Sequence, residues 1–190
     1  MGPYRRDMGR ARRVVEPNGI YHVVCRGNNK QPIFDDDLRS WYRWQLGQIA
    51  RRHDWSVYAW ALMTNHVHLV LHIGDSGISD GMRELNTYLA RASNARFGRI
   101  NHCLGRRYWS ELVEDDAQLY SVIRYVLWNP ARAGLEEQPG RCRWTSFRVT
   151  VGLEWATEPL DVARLLRHFG TAPETARPSF ERFVLADGLR

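Results

Sequence analysis

The chain has 190 residues, of which 44% are hydrophobic and 25% charged, and it carries eight Trp. That length suits one compact domain with its own core, and the tryptophan content argues against a disordered chain. The longest apolar run, Val57 to Met63, is too short to span a bilayer, and no apolar segment follows the basic N-terminus as a secretory signal would require. Cys25, Cys103 and Cys142 are odd in number and form no Cys-x-x-Cys pair, which speaks against a disulfide framework or a Cys-based zinc site. A reduced, cytoplasmic protein is the expectation.

The net charge is +6 and the pI about 9.6. Lys30 is the only lysine among 27 basic residues, so the other 26 are Arg. A guanidinium presents a planar fork of donors that matches phosphate oxygens in pairs. Residues 152–190 hold five Arg and six acidic residues, a balance of −1, so the first 151 residues carry +7. Arg5, Arg6, Arg10, Arg12 and Arg13 are opposed only by Asp7 and read as a basic arm for a phosphate backbone.

In chain order, Pro17-Asn18-Gly19 signals a turn. Ile20 to Cys25 follows as a strand with Tyr21, Val23 and Cys25 on one face. Arg26-Gly27-Asn28-Asn29 is a loop. Asp35-Asp36-Asp37 offers an N-cap and first-turn acids to a helix from about Leu38 to His53. Trp55 to Met63 and Val67 to Ile73 are strands that pair as a hairpin across Thr64-Asn65. Ile78 to Phe97 has the spacing of a helix, and Tyr108 to Val113 reads as a short strand. Glu114-Asp115-Asp116 opens a third helix that Asn129-Pro130 should end. In the tail, Asp161 to Phe169 suggests a helix and Thr171 to Pro178 a loop.

The order β-α-β-β-α-β plus a helix is the ferredoxin-like split βαβ pattern, an α+β fold. It predicts a four-stranded antiparallel sheet with helices on one face. The organisation expected is a basic arm (1–17), a main domain (18–151) and a partly helical appendage (152–190).

His66 and His68 stand two apart on a strand, so both imidazoles project to the same face and could share a divalent metal. Tyr125 and Asn129 stand four apart on the third helix and share a face one turn from each other. Asn129 could add an oxygen ligand, and Tyr125 a nucleophile. Tyr120 lies about 140° away around the helix and does not share that face. His72 is on the strand face of His68, four residues on, and is expected to be dispensable. A core role for Tyr125 and a solvated strand face for the two histidines stay open on these residues alone.

The chain resembles the insertion-sequence-200-like HUH transposases and, within them, the REP-associated tyrosine transposases. The resemblance is carried by Gly19-Ile20-Tyr21-His22-Val23, Arg26-Gly27-Asn28-Asn29, Gln31-Pro32-Ile33-Phe34 and Met63-Thr64-Asn65-His66-Val67-His68-Leu69. It continues in Leu112-Val113-Glu114-Asp115-Asp116, in the run from Arg124 through Asn129-Pro130-Ala131-Arg132 to Leu135, and in Trp144-Thr145-Ser146-Phe147. It spans about Met8 to Val151. Thr64 departs from the proline common before Asn-His, which touches turn geometry and not chemistry.

The resemblance implies metal ligands at His66, His68 and Asn129, a catalytic tyrosine at Tyr125, and Mg²⁺ or Mn²⁺ as cofactor. It implies cutting of single-stranded DNA beside hairpins through a 5′-phosphotyrosine, without a membrane partner and in some relatives as a homodimer. Arg26, Asn28, Arg106, Arg107, Arg124, Arg12 and Arg13 are the candidates to hold DNA, and Trp109 or Trp128 could stack an unpaired base. Two other readings compete: a hairpin-binding protein that does not cut, and an RNA-binding ferredoxin-like module. The second would carry clustered aromatics in a central-strand motif, and the chain has no such motif.

Overall fold

A computed structural model describes residues 15–105, 107–155 and 160–186. Its strands are β1 (Ile20–Arg26), β2 (Trp55–Leu62), β3 (His66–Ile73) and β4 (Trp109–Val113). They form one antiparallel sheet in the order β2-β3-β1-β4. Two crossover helices, α1 (Asp36–Arg52) and α2 (Ser79–Phe97), complete the split βαβ arrangement expected above. The caps follow the sequence. Asp35 accepts a hydrogen bond from the Leu38 N–H at 2.9 Å, and Gly98 ends α2 in the left-handed region at φ 60°.

Strand alternation sorts the sheet into two faces. Tyr21, Val23 and Cys25 of β1 and Val67, Leu69 and Leu71 of β3 face α1 and α2, burying the larger core. The other face is covered as well, which corrects the expectation of helices on one face. There α3 (Asp116–Arg132) lies over Tyr58, Ala61 and Val70. It is joined by α4 (Phe147–Thr150), α5 (Val162–Leu166) and α6 (Pro173–Leu185), which bring Phe147, Leu165, Phe180 and Val184 into a second core.

Two further expectations give way. Pro130 does not end α3, which runs on to Arg132. A proline removes one backbone donor, a small loss this close to a helix end, and Trp128 and Ala131 remain buried. The stretch from Thr171 to Pro178 is not a loop: Pro173 occupies the first turn of α6, where a missing N–H costs nothing. Segments after α3 also cover the outer edge of β2. The Leu62 N–H donates to the Trp144 carbonyl at 2.9 Å, and the Asp161 N–H to the Val57 carbonyl at 3.0 Å.

Candidate active site

The face of the sheet beneath α3 carries a row of polar side chains at its β4 end. On β3, His66 and His68 project together with ring centroids 5.0 Å apart. His22 of β1 reaches across, and its Nε2 lies 3.0 Å from His68 Nδ1 in a buried hydrogen bond. Asp115 caps α3 by accepting from the Gln118 N–H at 2.7 Å, and the helix then sets Tyr125 and Asn129 over this row. The Tyr125 ring meets His68 edge-on with centroids 5.5 Å apart. Tyr125 is 41% exposed, whereas Asn129 is 8% and His68 3% exposed. The nucleophile candidate is thus open to a substrate while the ligand candidates are sheltered.

His66 and His68 are both shifted toward the neutral imidazole. Burial, then the nearby charges of His22, His66 and Arg26, pushes His68 down to about 3. Burial and then Arg26 lower His66, against a contrary effect of its contact with Asn129. Burial pushes His22 down to about 4. Neutral imidazoles are the form that binds a metal.

The orientation of each imidazole is fixed from behind. His66 Nδ1 lies 2.6 Å from Asn65 Oδ1, which leaves Nε2 for a ligand role. His68 Nδ1 is engaged by His22, and His68 Nε2 is buried without a hydrogen-bond partner. The amide Nδ2 of Asn129 is likewise buried and unpartnered. Nitrogen and oxygen of an amide exchange places on a flip, so this unused atom can equally be an oxygen donor. Two imidazoles and one amide oxygen are a donor set that could hold a divalent cation. No group of three His, Cys, Asp or Glu set to hold a metal occurs among the described residues.

Of the DNA-binding candidates, Arg26, Asn28 and Arg107 line a cleft of about 700 Å³ that also reaches His22, His68, Trp109 and Tyr125. Arg124 is not there. Its guanidinium donates to the Phe183 carbonyl at 3.0 Å and lies 4.2 Å from the Phe183 ring, tying α3 to α6. Trp128 is buried with its indole N–H donating to the Val184 carbonyl at 2.8 Å, so it cannot stack a base. Tyr120 also turns to the tail and donates to the His168 carbonyl at 3.2 Å. Arg12, Arg13 and Arg106 lie outside the described residues.

The model of the family described as "Transposase IS200 like" matches residues 16–128. The chain belongs to the IS200-like transposase family. It is similar to a Haemophilus influenzae protein named as a REP-associated tyrosine transposase, 24% identical over 169 residues that cover 81% of this chain and 90% of that one. Among solved structures it is similar to a REP-associated tyrosine transposase bound to a REP hairpin, with a TM-score of 0.66 and 18% identity over 81% of this chain and 94% of that one. That likeness is one of fold. Among the described residues no helix is long and apolar enough to cross a membrane.

Three residues of this candidate site were not singled out from sequence. His22 sits on the strand face opposite Tyr21 and Val23, a polar residue between Ile20 and Val24 that hinted at a second buried layer. Asn65 precedes the histidine pair and binds His66, and its Nδ2 also donates to the Lys30 carbonyl at 2.9 Å. Arg132, seven residues after Tyr125 and so on the same helix face, places its guanidinium 5.4 Å from the Tyr125 ring.

Proposed function

We propose that the chain is a metal-dependent, single-stranded DNA endonuclease and strand transferase that cuts beside repeat hairpins with Tyr125 as nucleophile. One observation carries the reading. A half-exposed tyrosine on α3 stands edge-on to a buried neutral histidine whose Nε2 is unpartnered, with a second histidine and an asparagine alongside.

The chemistry follows from these groups. The Tyr125 hydroxyl oxygen attacks the scissile phosphorus in line with the bond to the upstream 3′ oxygen. That bond breaks, the Tyr125 proton is given up to solvent, the 3′ oxygen leaves and takes one proton back from it, and the phosphate stays on Tyr125 as a 5′-phosphotyrosine. The phosphodiester energy is kept in the new ester, so a strand's 3′-hydroxyl can reverse the attack without ATP. His66, His68 and Asn129 would hold Mg²⁺ or Mn²⁺, which when bound polarises a non-bridging phosphate oxygen as a Lewis acid. Asn65 and His22 keep the two imidazoles turned correctly. The exposed Arg132 guanidinium lies over the Tyr125 ring and would supply positive charge to a phosphate bound at the tyrosine.

The hairpin as partner draws support from the basic first 151 residues and from the hairpin held by the solved relative. The test is incubation of single-stranded repeat hairpins with Mn²⁺ or with EDTA, resolved on denaturing gels. Cleavage is expected with Mn²⁺ alone and not on the same sequence as a perfect duplex. His66→Ala or His68→Ala should abolish cleavage and leave hairpin binding largely intact. Equal cleavage of duplex and single strand, or full cleavage in EDTA, would overturn the proposal.

A further inference from the structure

We propose that the cleft beside Tyr125 is a base-reading pocket, which takes one unstacked base of the strand next to the cut phosphate and stacks it on Trp109. This rests on the DNA-cleaving role proposed for Tyr125 and adds how a single nucleotide would be selected there.

The cleft of about 700 Å³ falls in the range of about 300–1,000 Å³ usual for ligand pockets. Its character is that of a nucleotide site. Trp109 is paired into the sheet opposite Val24, yet it is 48% exposed. The indole and the His22 ring stand nearly perpendicular with centroids 5.3 Å apart, and about half of the indole residue stays open to solvent. Val24, Trp109 and Tyr125 give the cleft apolar and aromatic surface, suited to the faces of a base. Arg26 and Arg107 also line it, and no carboxylate among the described residues does, so the ligand it suits is anionic. Asn28 and Asn29 add side-chain amides that can donate to and accept from a base edge.

The amide-bearing loop is preformed. The Gly27 N–H donates to the Asn65 carbonyl at 2.8 Å, and the Asn28 N–H to the Cys103 carbonyl at 2.8 Å. A side chain at residue 27 would put its Cβ 2.3 Å from the Gln31 carbonyl oxygen, so the turn requires glycine. Asn29 holds the left-handed region at φ 51°, which asparagine tolerates better than most residues. Asn65 braces this loop and also binds His66, so the loop beside the base and the imidazole beside the phosphate share one support. Tyr125 lines the same cleft, so a base held on Trp109 belongs to a nucleotide near the scissile bond.

The test measures binding in EDTA, which separates it from cleavage. Hairpins with an unpaired flank are prepared with each flank nucleotide in turn made abasic. For the unaltered protein, one flank position should lose at least about fivefold in affinity when its base is removed. Trp109→Ala should weaken the intact strand by a similar factor and lose its sensitivity to the abasic site, while Trp109→Phe keeps it. Gly105→Val gives an independent check, since its Cβ stands in ordinary contact, 3.6 Å from the nearest atom. It should narrow the cleft and weaken only strands that carry the base. A flat abasic profile, or the same abasic penalty with and without Trp109, overturns the pocket while leaving Tyr125 chemistry standing. Failure of every single strand to bind overturns both.

Discussion

Replacement of His22 by alanine tests the supporting layer of the site. His22 Nε2 and His68 Nδ1 are 3.0 Å apart, and His68 is 3% exposed. Removal of His22 leaves a buried imidazole nitrogen without a partner, at a cost of about 1–3 kcal/mol. That is a sizeable part of a domain stability of about 5–15 kcal/mol, yet not enough by itself to unfold the chain. The freed His68 ring can turn, and its Nε2 is no longer held in place. Loss of such a support weakens metal binding or activity by about 10–100-fold. Urea denaturation should show the stability loss, and the Mn²⁺ concentration for half-maximal cleavage should rise by that factor. Destabilisation of the expected size with an unchanged Mn²⁺ requirement would refute the positioning role and leave His22 as packing.

His72→Ala should retain cleavage, because His72 is at the other end of the strand with its Nε2 2.9 Å from the Arg164 guanidinium and serves the α5 contact; loss of cleavage in that variant would show the ligand set to be wrong. Arg132→Ala should slow cleavage by up to about a hundredfold with hairpin binding and folding kept, a modest effect for a charge-stabilising group because the side chain is exposed; a normal rate would remove it from the mechanism. Stability should fall in mild acid. His22 takes up a proton near pH 6.5 when unfolded and at about 4 when folded, so its contribution is complete above about pH 7 and is lost as pH drops from about 6.5 to 4. The contribution is roughly 3 kcal/mol at most, and lowered His68 acts in the same direction. Urea midpoints that do not change between pH 7.5 and 5 would contradict this.

Local periodicity carried much of the site. A strand period of two placed His66 and His68 on one face, and helical spacing placed Tyr125 and Asn129 on another. Asp35 and Asp115 announced their helices as caps. What periodicity cannot express is which elements lie against each other. The partnership of His22 with His68 depends on the register between β1 and β3, residues 46 apart in the chain. Arg124 and Trp128 share a helix with Tyr125, and only the docking of α6 shows that they bind the tail. Pro173 and Pro178 gave the start of α6 the composition of a loop, while the buried spacing of Ala176, Phe180 and Val184 is that of a helix. The role of Arg132 was hidden because Pro130 suggested that α3 ends before it.

The measurement that bears most directly on the account is the identity of the residue joined to DNA. The protein is incubated with a single-stranded repeat hairpin and Mn²⁺, digested, and the cross-linked peptide mapped by mass spectrometry. The adduct should join Tyr125 to the 5′ end of the downstream fragment. Tyr125→Phe, which removes one hydroxyl and almost no volume, should form no adduct and cut nothing while it folds and binds the hairpin normally. An adduct on Tyr120, whose hydroxyl is engaged by the His168 carbonyl, or on buried Tyr108, or full cleavage by Tyr125→Phe, would contradict the assignment.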